Sequence, residues 1–140
     1  MTKAARVTSD MMSAFNGIIP AVFSTCSAEG VPNVTFVSQV YYVDDEHVAV
    51  SWQFMNKTAR NLTENPYACV VLTSPETYAA WKLHLRMVEK QTEGPIFDRM
   101  DMQLQALTAL LPTNHNFKIL AAVICKIEAI EQLYTGSAPY

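Results

Sequence analysis

Hydrophobic and polar positions follow two different periods along this chain. Residues Ala79–Glu89 alternate strictly, and an alternation of period two is typical of a β-strand with one buried face. The apolar positions of this strand are Trp81, Leu83, Leu85 and Met87, and the other face carries Lys82, His84, Arg86 and Val88. After Gly94-Pro95 the apolar residues recur instead at three- and four-residue steps. They are Phe97, Met100, Leu104, Leu107 and Leu111. This period predicts an amphipathic helix that begins at the Gly-Pro pair and ends at Pro112.

Five further strands are predicted from short runs of β-branched and aromatic residues that lie between turn residues. They are Ile18–Ser27, Val34–Val43, His47–Trp52, Tyr67–Thr73 and Phe117–Tyr134. The segments Ala28-Glu29-Gly30 and Asp44-Asp45-Glu46 join the first three as hairpins. A short helix is predicted over Ser9–Phe15, with Ser9 or Asp10 as its cap and Asn16-Gly17 as its end. Short strands joined by hairpins, with few helices, predict a six-stranded antiparallel barrel of the α+β class, mainly β.

Composition and charge narrow the class of protein further. A chain of 140 residues, half of them hydrophobic, fits one domain over residues 1–140 with a short tail at 135–140. The net charge of −3 argues against nucleic acid as a partner. The longest apolar run, Ile119–Cys125, is too short to span a membrane, and no secretory signal is evident, so we expect a cytoplasmic protein. The three cysteines lie in apolar stretches without a CxxC pair, and we expect buried, reduced thiols.

The segment from Ser51 to Pro66 predicts the end of a strand, a loop and a helix that Pro66 stops. If Asn56 caps this helix, the first-turn N–H groups, the Lys57 ammonium and the Thr58 hydroxyl converge on one spot. Such a spot binds a phosphate group. The alternative is a capped surface helix whose Lys57 and Arg60 are merely solvated. A triphosphate-binding loop is not predicted, because the glycines that it needs are missing.

No residue pattern of a known catalytic group is present. Nucleophile motifs, a His-Glu-x-x-His pair and a calcium loop are all absent from the sequence, so we assign no catalytic residue and no metal ligand. His84 is expected to be solvated, with a dimer-interface or cofactor contact as the alternative. Trp52 and Trp81 are expected in the core or at an interface.

Four segments together resemble the FMN-binding split barrel of the pyridoxamine 5′-phosphate oxidase-like family. They are Gly17-Ile18-Ile19-Pro20, Val31-Pro32-Asn33, Val48–Trp52 and the helix Asn56-Lys57-Thr58…Asn61-Leu62…Asn65-Pro66. The resemblance covers roughly residues 10–90. It implies a homodimer that holds FMN at its interface, with the phosphate on Asn56, Lys57 and Thr58. It also implies that the strand end at Ser51 and Trp52 contacts the flavin. The edge of the flavin ring would lie along the backbone of Thr35, Val37, Ser38 and Gln39.

Two departures from the family limit the activity that the resemblance implies. Oxidase members commonly carry a basic residue where this chain has Val34-Thr35, and the Arg-x-His pair that grips the vitamin B6 phosphate is missing. We therefore expect an FMN-dependent oxidoreductase that acts on an unknown small molecule, with NAD(P)H or another small reductant as electron donor. The alternatives are a non-enzymatic flavin-binding redox sensor or regulator, and the same barrel holding a deazaflavin, a haem or nothing.

A homodimer is also predicted from the number of apolar side chains in the strands. They exceed what one small barrel is expected to enclose, and the surplus includes Tyr41, Tyr42, Trp81, Leu83, Leu85 and Met87.

Overall fold

A computed structural model describes residues 5–52, 57–110 and 118–136 of the chain. Seven strands form one antiparallel sheet in this part of the chain. They are β1 (Ala21–Cys26), β2 (Pro32–Val37), β3 (Val40–Asp44), β4 (His47–Trp52), β5 (Tyr67–Thr73), β6 (Ala80–Gln91) and β7 (Ala121–Tyr134). The helices are a 3-10 helix (Ser9–Phe15), α1 (Lys57–Glu64) and α2 (Pro95–Thr108).

The order of strands in the sheet is β2-β1-β5-β6-β7-β4-β3. Its two outermost strands, β2 and β3, are consecutive in the chain and are separated only by Ser38 and Gln39. Strand β2 pairs with β1 up to Val37, and β3 pairs with β4 from Val40. The two edges are therefore the halves of one interrupted strand, and the sheet curves round as a barrel. The predicted class, a mainly β antiparallel barrel with a few helices, is confirmed.

The prediction of six strands was wrong by one, because Val34–Val43 is not continuous. The interruption has a physical cause at Gln39, whose side chain is buried against α2. Its Nε2 donates hydrogen bonds to the Met100 carbonyl at 3.2 Å and to Gln103 Oε1 at 2.6 Å. Its own carbonyl accepts a hydrogen bond from the Ser51 N–H at 3.4 Å. The chain thus leaves the β1 ladder and joins β4 at this residue.

The barrel interior is filled by alternate residues of the strands. On β6, Trp81, Leu83 and Leu85 are buried, while Lys82, His84 and Arg86 face outwards, as predicted. A second apolar cluster lies outside the barrel, where α2 covers β4 and β7. It contains Ala49, Met100, Leu104, Ile119, Ala122 and Ile124.

A dimer was predicted because the strands carry more apolar side chains than one barrel was expected to enclose, and the burial of the apolar face of β6 contradicts this reason. Trp81, Leu83 and Leu85 belong to the chain's own core, so this face of β6 is not available to a partner. Exposed apolar side chains lie instead on and beside β2: Val34 is 64% and Phe36 73% exposed, and Ile18 and Val31 are exposed near them. Any apolar interface in this region would therefore involve β2 rather than the inner face of β6.

The short helices match their predicted positions with small differences. The 3-10 helix spans Ser9–Phe15 as expected, but its N-cap residue is Thr8 and makes no side-chain capping bond. Gly17 follows with φ of +80°, a conformation that favours glycine. Helix α2 begins at Pro95 as predicted and ends at Thr108. Leu111 and Pro112 lie outside the described residues.

The three cysteines are free thiols, as expected, but only one is buried. Burial raises the pKa of Cys125 to about 12, so this thiol stays protonated. The prediction of burial was wrong for Cys26 and Cys69. Both lie at half-buried positions of β1 and β5, because the alternation of each strand turns them away from the interior. Within the described residues, no helix is long and apolar enough to cross a membrane.

Candidate functional site

Helix α1 follows the end of β4 and presents two different faces. Thr58, Ala59, Asn61 and Leu62 are buried against the barrel. Lys57 and Arg60 are exposed on the other side. This pattern is typical of a short amphipathic helix whose cations point to solvent. Asn56, the predicted cap, lies outside the described residues.

Three hydrogen bonds tie α1 to the β1–β2 hairpin. Asn33 Nδ2 donates to Thr58 Oγ1 at 3.2 Å. Asn61 Nδ2 donates to Thr25 Oγ1 at 3.1 Å in a buried position. At the other end of the helix, the Ala28 N–H donates to Glu64 Oε2 at 3.1 Å. The first turn of α1 is therefore held against the start of β2. Asn33 could not be assigned to the site from the sequence, because only the pairing of hairpin and helix brings it to Thr58.

A cleft of about 330 Å³ lies between α1 and this hairpin. Its lining residues are Ser27, Glu29, Val31, Pro32, Asn33, Lys57, Arg60, Asn61 and Glu64. The cleft contains the cations of Lys57 and Arg60 together with the side-chain amides of Asn33 and Asn61. Both kinds of N–H donor bind phosphate groups. The carboxylates of Glu29 and Glu64 line the same cleft, and Glu64 already accepts a backbone hydrogen bond. The donor set fits an anion at the Lys57 side of the cleft.

Trp52 is the last residue of β4, and α1 begins five residues later at Lys57. Its side chain is 7% exposed, and among the described residues its buried indole Nε1 has no hydrogen-bond partner. The Lys90 ammonium lies 5.1 Å from the centre of its ring. A cation at this distance is attracted by the ring face. Lys90 could not be identified from the sequence, because a register shift between Met87 and Glu89 alters the alternation of β6.

A second, apolar groove of about 500 Å³ lies at the other end of β2. It is lined by Gly17, Ile18, Pro20, Phe36, Val37, Ser38, Leu104, Leu107 and Thr108. Val37 and Ser38 are predicted site residues and line this groove, whereas the side chain of Gln39 is directed at α2. Thr35 lies between the two clefts along β2.

Six of the predicted site residues thus fall into three groups. Lys57 and Thr58 lie at the cationic end of β2, and Val37 and Ser38 lie at its apolar end. Ser51 and Trp52 are buried at the end of β4. In the described part of the chain, no cluster of His, Cys, Asp and Glu could hold a metal ion.

Comparison with known proteins identifies the family of this chain. The sequence model of the pyridoxamine 5′-phosphate oxidase family matches residues 8–133. The chain belongs to this family, which confirms the resemblance seen in the sequence. An uncharacterized protein of Methanocaldococcus jannaschii is 29% identical over 133 residues, covering 94% of this chain and 83% of that protein.

Solved structures support the same fold at low sequence identity. An FMN-binding protein from Syntrophomonas wolfei has a TM-score of 0.73 at 18% identity, covering 98% of this chain and 86% of that one. HupZ of Group A Streptococcus has a TM-score of 0.72 at 20% identity, covering 96% and 99%. An F420 reductase (TM-score 0.68, 13% identity, 89% and 98% covered) is also similar. So is HutZ, described as a heme storage protein, from Vibrio cholerae (TM-score 0.55, 14% identity, 92% and 96% covered). The split-barrel fold is thus shared with proteins whose names mention different cofactors.

Proposed function

We propose that this protein binds FMN along β2 in a homodimer and uses it to oxidise or reduce a small molecule. One observation carries the proposal: a cationic cleft and an apolar groove lie at opposite ends of the same strand. Asn33 lines the first and Val37 the second, four residues apart. In extended backbone this separation is about 13 Å. FMN has a phosphate at one end and a flat, largely apolar ring at the other, joined by an extended chain.

The phosphate end is assigned to the first turn of α1. Lys57 supplies an ammonium and Arg60 a guanidinium, and the positive end of a helix dipole also favours an anion. Asn33 fixes the Thr58 side chain at this turn through its hydrogen bond.

The ring end is assigned to the groove at Val37 and Ser38. Ile18, Phe36 and Leu107 give this groove the apolar walls that cofactor sites commonly have. The backbone of β2 supplies the polar contacts to the ring edge. Phe36 and Val34 expose large apolar side chains on β2, and a second copy of the chain would cover them together with the ring.

Bound FMN would supply the hydride chemistry, and the chain's own residues would bind it, orient it and exclude water. Lys57 and Arg60 neutralise the phosphate charge. The apolar walls near Phe36 keep water from the ring. No side chain of the described site is assigned to proton transfer, which leaves the redox work to the cofactor and the choice of substrate to the shape of the groove.

A deazaflavin is the second candidate cofactor, because the fold of the F420 reductase is similar to this one. The test is a titration of apo-protein with FMN, riboflavin and a deazaflavin, followed by anaerobic mixing of the tightest complex with NADH or NADPH. We expect FMN to bind tightest and its absorbance to bleach on the timescale of turnover. Tight FMN binding without bleaching would favour a flavin-binding sensor, and tighter binding of the deazaflavin would replace FMN in the proposal.

A further inference from the structure

A third cleft, of about 600 Å³, lies on the outer face of β1, β5 and β6, and the proposed function does not use it. It contains a thiol and an imidazole in contact: Cys69 Sγ lies 3.4 Å from His84 Nδ1. The two residues are direct cross-strand partners of β5 and β6. The sheet register therefore fixes this pair, and it does not depend on a flexible loop. The expectation that His84 is simply solvated is incomplete, because the imidazole has this specific neighbour.

The other nitrogen of this imidazole faces a carboxylate. His84 Nε2 lies 3.7 Å from Glu131 Oε2, and Lys82 Nζ lies 3.2 Å from the same oxygen. The hydrogen bond from Lys82 is the main reason that the pKa of Glu131 lies below its usual range, so this group is ionised at neutral pH. A carboxylate at Nε2 favours the tautomer with its proton there and leaves Nδ1 as the acceptor that faces the thiol.

We propose that Cys69 is a nucleophilic thiol that exchanges with low-molecular-weight disulfides in this cleft, with His84 as its base. The Cys69 thiol gives its proton to His84 Nδ1, and the sulfur attacks one sulfur of the disulfide. A new bond forms between Cys69 and that sulfur, the old S–S bond breaks, and the second sulfur leaves as a thiolate that takes up the proton. The Cys69 sulfur is oxidised and the leaving sulfur is reduced, so the disulfide itself is the oxidant and no other reactant is needed. Glu131 is a positioning residue for His84.

The cationic side chains near Cys69 and His84 each lie close to a carboxylate. Arg86 lines the cleft, and its Nε donates to Glu128 Oε1 at 2.6 Å. Lys82 is paired with Glu131. A second half-buried thiol, Cys26, also lines the cleft. Among the described residues, no side chain hydrogen-bonds to Cys26. The cleft therefore contains its own control, because, within the part of the chain that the structure describes, Cys69 contacts an imidazole and Cys26 does not.

The experiment treats the full-length protein with dithionitrobenzoate, a small disulfide that releases a coloured thiolate, and locates the adduct by peptide mass spectrometry. We expect Cys69 to react at least about tenfold faster than Cys26 at neutral pH, because a positioned base assists only Cys69. His84→Gln, which keeps a polar side chain without a base, should remove this advantage and leave the rate of Cys26 unchanged. Glu131→Gln should move the pH profile of the Cys69 reaction to lower pH, because a nearby carboxylate favours a protonated imidazole and its loss makes the free base available at lower pH. Neither result depends on bound flavin.

Three outcomes would overturn the proposal. They are an unmodified Cys69, equal rates at the two thiols, and a Cys69 rate that His84→Gln leaves unchanged. The comparison of two thiols in the unmutated protein needs no variant, so a folding defect in a variant cannot decide the result. An unmoved pH profile in Glu131→Gln would overturn the role of Glu131.

Discussion

Replacing Lys57 by Ala tests the phosphate end of the proposed FMN site. The side chain lies at the first residue of α1, lines the cationic cleft and is exposed. Because the side chain is exposed, its removal should change the free energy of unfolding by less than about 0.5 kcal/mol. Any change in cofactor affinity then reports on the interaction with the phosphate and not on the stability of the barrel.

The expected magnitude follows from the kind of interaction that the substitution removes. A hydrogen bond between charged partners contributes about 1.5–3 kcal/mol, and each 1.4 kcal/mol is about a factor of ten in affinity. The variant should therefore bind FMN about 10- to 150-fold more weakly than the parent. Exposure of Lys57 to solvent screens the charge–charge attraction and favours the lower end of this range. Riboflavin, which has no phosphate, should bind weakly to both proteins with the same affinity.

The assay is a fluorescence or calorimetric titration of apo-protein with both ligands. Lys126→Ala is a control with the same charge change, because Lys126 lies on β7 opposite His47 and lines neither the cationic cleft nor the apolar groove. The phosphate assignment is wrong if Lys57→Ala binds FMN as tightly as the parent. It is also wrong if Lys57→Ala and Lys126→Ala weaken FMN binding by the same factor.

Three further predictions test other parts of the structure. Phe36→Asp should shift a homodimer towards a folded monomer in light scattering at micromolar concentration, because Phe36 is 73% exposed and is not part of the monomer's core; a parent protein that is already monomeric would remove the interface. Leu83→Ala should cost about 2–5 kcal/mol in urea unfolding, because this core side chain is fully buried; a cost below about 1 kcal/mol would contradict the assigned barrel interior. Lys82→Met should raise the pKa of Glu131 in an NMR titration. Because the fold lowers the pKa of Glu131, its ionised form stabilises the folded state at pH values above the pKa of the unfolded state. This stabilisation is lost as the pH falls through the pKa of the folded state. An unchanged titration of Glu131 in the variant would contradict the Lys82–Glu131 interaction.

Local patterns predicted most of the fold correctly. The alternation on β6 and the Gly94-Pro95 start of α2 each depend on residues close in sequence, and both are confirmed. The break between β2 and β3 could not be predicted in the same way. It depends on Gln39 bonding to Met100, and 61 residues separate the two.

The residues of the candidate site could likewise be predicted only where they belong to a local sequence pattern. The cations of α1 are evident in the sequence, because helix starts and basic residues form a local pattern. Asn33, Lys90 and the Cys69–His84 pair are not, because each depends on strand register or on a shift in it. A change of one position in the pairing of β5 with β6 would move His84 away from Cys69.

The absorption spectrum of the purified protein tests the central claim, FMN binding, most directly. We predict flavin bands, and mass spectrometry of the ligand released on denaturation should identify it as FMN. If the protein is purified without ligand, it should develop those bands, and retain them through gel filtration, when FMN is added. A haem or deazaflavin spectrum, or a protein that takes up no FMN when it is supplied, would contradict the claim.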